Sequence, residues 1–151
     1  MTVSEDSWKA FEYEVWMFFE TRTPRDPAIA DDVVANALTE SALLHTRVLI
    51  EALINKNSRD DDVNLDRLLA GIVTSAELLA AQTALKTAYG TADAVGSPCW
   101  TLNKRLAHLT NERGDSFDYG PLRPLLDPLV FEVLREVAAA TLRPVLRHYT
   151  R

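Results

Sequence analysis

Between Pro27 and Asn55 the chain contains neither glycine nor proline, and apolar residues recur along it every three or four positions. That interval predicts a helix of about eight turns, because only the 3.6-residue period brings such residues onto one face. Asp26-Pro27 is a fitting start: a capping side chain, then proline at the first helical position, where its missing N–H costs nothing. The predicted central stripe is Val34, Leu38, Ser41, His45, Val48, Leu49 and Ala52, flanked by Val33, Ala37 and Leu44. Leu43, Ile50 and Ile54 lie opposite, so more than one neighbour must pack on this helix. A segment this long is a central element around which shorter helices assemble.

The rest of the chain carries the same period. With only five glycines in 151 residues and no period-two alternation, the expected fold is all-α. It is an up-and-down helical bundle of four long helices plus one or two short helices, in a single domain over residues 1–151. A first helix from Ser4 to Glu20 sets Trp8, Phe11, Val15, Phe18 and Phe19 towards the core, with Tyr13, Trp16 and Met17 on the other side. Those three imply either a covering helix or loop, or a subunit interface. Asn64 caps a short helix through Ala70. Another helix runs from Thr74 to Tyr89, with Ala76, Leu79, Ala80, Leu85 and Ala88 apolar. Ser97, Pro98 and Gly114 bound a helix whose buried stripe is Cys99, Leu102, Leu106 and Leu109. A last helix opens at Asp127-Pro128 and packs through Val130, Val133, Leu134, Val137, Thr141 and Val145, with Pro144 kinking or weakening its end. The helices starting near Asp26, Ser97 and Asp127 are expected at the centre.

The net charge of -6 argues against a general nucleic-acid or membrane-surface binder. A single cysteine, Cys99, excludes an internal disulfide; it falls on a buried stripe, although a first helical turn is a place that can lower a thiol pKa. Neither a signal peptide nor a membrane-spanning run is legible, which points to a cytoplasmic protein. No metal or other cofactor is expected. Asp60-Asp61-Asp62 reads as a solvated turn, since calcium-loop spacing is absent. Arg143, Arg147 and Arg151 suit the negative end of the last helix, or else a small anion or nucleic-acid patch.

Two histidines carry the functional candidates. His45, with Ser41 one turn earlier, lies among apolar residues; buried without a partner it would cost on the order of 1–3 kcal/mol. Ser41 or a polar group near Asn103 is the expected partner, the pair fixing two helices in register. His108 follows Asn103, Lys104 and Arg105, a combination in which an imidazole can move a proton while amide and cationic groups hold a phosphate. Catalytic candidates are therefore His108, Asn103 and Arg105, and binding candidates Lys104, His45 and Ser41.

At L-N-K-R-L-A-H-L-T-N-E-R and E-S-A-L-L-H-T-R-V-L-I-E-A-L the chain resembles a group of small bacterial helical proteins and, more distantly, the HEPN superfamily. That resemblance implies a dimerising helical bundle, and in many members a metal-independent ribonuclease of toxin or phage-defence type. The family's arginine precedes its histidine on a late helix. Measured from His108, the corresponding positions hold Asn103, Leu102 and Thr101. The expectation is thus a non-enzymatic module that forms a homodimer or binds another protein. The alternative is a divergent ribonuclease using His108.

Overall fold

The computed structural model describes residues 4–22, 32–55, 62–107 and 120–150. Among these the protein is an all-α helical bundle. Its helices are α1 (Glu5–Glu20), α2 (Asp32–Ile54), α3 (Leu65–Leu68), α4 (Ala76–Tyr89), α5 (Pro98–Ala107), α6 (Arg123–Thr141) and α7 (Pro144–Tyr149). A 3-10 turn, Gly120–Leu122, leads into α6.

The starts of several helices follow local chemistry. The Ser4, Asn64 and Ser75 side chains accept the backbone N–H three residues ahead, at Ser7, Arg67 and Leu78, so each satisfies a donor the helix cannot. Ser97 does the same for Trp100 and also donates its hydroxyl to the Thr91 carbonyl at 2.8 Å. Gly90 ends α4 at a φ of 74°, and a Cβ there would lie 2.8 Å from the Ser97 Cβ. Glycine is thus required where the chain doubles back into α5.

Helix α1 buries Trp8, Phe11, Val15 and Phe18, the predicted stripe, while Phe19 packs at its margin. On α2 the buried face is Leu43, His45, Thr46, Leu49, Ile50, Leu53 and Ile54. That corrects the predicted face: the core side is rotated towards Leu43, Ile50 and Ile54, and Val34, Leu44 and Val48 are exposed. The reason is the number of neighbours. Helix α2 touches α1, α3, α4 and α5, so its core face is nearly half its circumference, and periodicity alone places the centre of so wide a face poorly. Gln82, buried on α4, donates its amide to the Leu53 carbonyl at 2.7 Å and so satisfies an acceptor at the C-terminal end of α2. On α4 the buried residues are Leu78, Ala81, Gln82, Leu85 and Tyr89, while Leu79 is exposed.

The C-terminal elements depart from expectation. Helix α6 begins at Arg123, with a proline in its first turn, and Pro128 lies inside it. Asp127 is therefore not a cap; its carboxylate pairs instead with Arg22 and Arg123. Pro144 does not kink the last helix but starts a new one. Helix α6 stops at Leu142, whose φ of 59° is left-handed, and Pro144 opens α7. The turn buries Leu146 and leaves Val145, a predicted packing residue, 40% exposed. The expected centre also shifts, because α6 packs most extensively on α4, and α1 on α2.

Helix α7 returns to α1. Arg143 donates to Glu12 at 2.5 Å and reaches Glu5, its guanidinium lying over the Trp8 ring. It thus joins α1, in place of the predicted interaction with the end of its own helix. The hydrogen bond to Glu12, more than burial opposes it, raises the Arg143 pKa. Tyr149 stacks on Phe19, and Phe131 of α6 packs against Phe18 and Phe19. Arg22, set over Phe18, has Nε and Nη1 buried without hydrogen-bond partners, and burial, with Arg123 nearby, lowers its pKa to about 10.

Candidate functional site

His45 is buried on α2, and its Nδ1 lies 2.7 Å from Oε2 of Glu14 on α1. A carboxylate only accepts, so Nδ1 carries the proton and donates it. Its partner is therefore Glu14, not the expected Ser41 or a group near Asn103. The edge of the imidazole also meets the Tyr13 ring, with centroids 6.0 Å apart. This pairing ties the middle of α1 to the middle of α2 and supplies the polar group that burial of His45 demands.

Around that seam the surface is apolar. Tyr13 is 50% exposed, Trp16 44% and Leu44 46%, with Val34 and Val48 also exposed. On α1, Tyr13 and Trp16 have ring centroids 5.9 Å apart and Tyr13 touches His45; on α2, Leu44 precedes Val48 by one turn. Of the three residues the sequence sets on this side of α1, Tyr13 and Trp16 are exposed and Met17 is half-buried among the described residues. One end of the patch opens into a cleft of about 330 Å³ between α1, α2 and residues 62–64, walled by Phe11, Val48 and Val63 and edged by Glu14 and Glu51.

A second polar group lies nearer the C-terminal end of α2, and sequence reasoning missed it. Arg47 donates to Glu51 Oε1 at 3.0 Å, and the buried Tyr89 hydroxyl reaches the same oxygen at 3.4 Å. Burial, reinforced by Glu51, pushes the Tyr89 phenol far above its ordinary value of 10.0. Burial also raises the Cys99 thiol, as its place on the buried stripe implies, and outweighs the first-turn position. The one legible signal was Arg47 and Glu51 a single turn apart; Tyr89 reaches them only through the fold.

The remaining candidates divide as follows. Asn103 donates its amide to Cys99 Sγ at 3.6 Å, and its Oδ1 is buried without a hydrogen-bond partner. Lys104 sits over the Trp100 ring at 5.0 Å. Ser41 is half-buried on α2. His108 and the Arg105 side chain lie outside the described residues, as do Leu109, Gly114, Arg151 and the predicted start of α2. The structure thus joins His45 to Glu14, and Asn103 to Cys99, but brings neither set to the other.

Compared with known proteins, the chain matches no family model, no curated protein and no solved structure. Among the described residues no cluster of three or more His, Cys, Asp or Glu side chains is arranged to hold a metal, and no helix is long and apolar enough to cross a membrane. Asp62 offers its backbone carbonyl to Arg67; Asp60 and Asp61 lie outside the described residues.

Proposed function

We propose that the chain is a HEPN-like, non-enzymatic interaction module of the cytoplasm that self-associates as a homodimer through the outer face of α1 and α2. One observation carries this reading: Tyr13, Trp16, Val34, Leu44 and Val48 are exposed apolar side chains on two packed helices whose opposite faces are buried. Aromatic side chains with this much accessible area are the usual anchors of protein interfaces. The His45–Glu14 pair beneath them holds the two helices in fixed relation, so the surface is preorganised and little ordering is needed on association.

The test is the mass of the purified chain by light scattering across a wide concentration range. The wild type is expected to reach the mass of two chains, and Trp16→Ala to remain at one. A wild type that stays monomeric at high concentration ends the self-association reading. Its non-enzymatic part is tested separately with mixed RNA: cleavage that disappears in His108→Ala would overturn it in favour of the ribonuclease.

A further inference from the structure

We infer that α7 is a strap: it undocks from α1 as one unit while the helices from α1 to α6 stay folded, and the pairs of Arg143 with Glu12 and Glu5 set how often it does so.

The segment is built to come away whole. Pro144 keeps the residue before it out of helical geometry, and Arg143 is extended accordingly, at φ -70° and ψ 127°. Helix α6 therefore does not run on into α7, and the chain turns at Leu142. There a leucine is held at a φ of 59°, where its Cβ crowds the following carbonyl, and it is 64% exposed. Docking thus keeps the hinge in a conformation that leucine disfavours, and undocking lets it relax. Six residues are also too few for a helix that is stable by itself, so α7 holds its shape only while its contacts hold.

Those contacts come from three positions, each three residues from the next. Leu146 is the one buried residue of α7, whereas Pro144, Val145, Arg147 and His148 face water. Arg143 bonds Glu12 and Glu5 over the Trp8 ring, and Tyr149 stacks on Phe19 with ring centroids 4.8 Å apart. Arg143 and Tyr149 are separated by about 9 Å of helix rise, and Glu12 and Phe19 by about 10 Å on α1. The strap therefore lies alongside α1 in the same direction, tied at both ends. Of the three anchors only Arg143 acts through charge. Its side chain is 23% exposed and that of Glu12 16%, so salt reaches the pair in part and loosens it. Opening takes Tyr149 off Phe19, which also packs on Phe131, and so bares one side of an aromatic pair.

Hydrogen exchange read by mass spectrometry on the full chain, under native conditions, tests this. Amides of α7 such as Arg147, which donates to the Arg143 carbonyl, should exchange about tenfold faster than those in the middle of α6, or faster still. Arg143→Gln should speed α7 by about a further tenfold, and about 1 M NaCl by about threefold, with α2 and α4 unmoved. Leu142→Gly should slow it by about threefold, because glycine accepts the left-handed turn. Protection in α7 equal to that in α6 overturns the strap, since the segment then opens only with the whole fold. Faster exchange in every helix alike on Arg143→Gln overturns it too. An Arg143→Gln chain whose α7 is as protected as wild type removes the charge control, and a Leu142→Gly chain that exchanges faster removes the strained hinge.

Discussion

Helix α1 has two flanks of similar composition and opposite fate. Towards α6 and α7, Phe18 and Phe19 are locked against Phe131 and Tyr149, Arg22 is paired with Asp127, and Arg143 reaches back to Glu12 and Glu5. Towards the outer face, Tyr13 and Trp16 stand half in water, and the only polar tie described there is Glu14 to His45. Aromatic content alone does not distinguish them. What differs is whether a returning segment supplies partners, and α7 does so on one side only. The first flank stabilises the fold; the second is the surface we propose for association.

Substitutions on the two flanks should therefore separate by an order of magnitude in stability. The largest effect is expected from Phe18→Ala, which empties a fully buried site and should cost about 3–5 kcal/mol in denaturant unfolding. A loss under 1 kcal/mol would mean that the inner flank is not the better packed of the two. Asp127→Asn comes next: it leaves the mostly buried Arg22 without its carboxylate, for about 2 kcal/mol. Glu14→Gln keeps a hydrogen bond to His45 but removes its charge, and about 1 kcal/mol is expected. If Glu14→Gln proves costlier than Asp127→Asn, the contrast between the flanks is reversed. Trp16→Ala should change stability by no more than about 0.5 kcal/mol while abolishing association.

Titration sharpens the comparison at α2. The folded Tyr89 phenol ionises far above its unfolded value of 10.0, so its contribution is complete below pH 10 and is lost as the pH climbs beyond that. Tyr89→Phe should therefore narrow the difference between unfolding free energies measured at pH 9 and pH 11. An unchanged difference would place the alkaline sensitivity on other groups.

What the sequence disclosed follows from the range of the interactions concerned. The core stripe of α1 and the caps at Ser4, Asn64 and Ser97 depend on residues within one or two turns, and they were legible. The burial of His45 could be read, but Glu14, which sits thirty-one residues earlier, could not be chosen from among many acids before the helices were set side by side. The face of α2 was misplaced for a related reason: with apolar residues around most of its girth, the sequence contains several plausible stripes, and only the positions of α1, α4 and α5 decide among them. At Asp127-Pro128 a local pattern was overridden: the helix starts one turn earlier, at Arg123-Pro124, with no side-chain cap, and the aspartate pairs with Arg22 instead.

The left-handed residue at Leu142 has a consequence for synthesis. By turning the chain back, it makes Arg143 and Tyr149 the partners of a helix translated long before them, with 138 positions separating Arg143 from Glu5. At ordinary elongation rates, α1 waits roughly ten to thirty seconds on the ribosome for those contacts. Until then Phe18 and Phe19 lack the partners that Phe131 and Tyr149 supply.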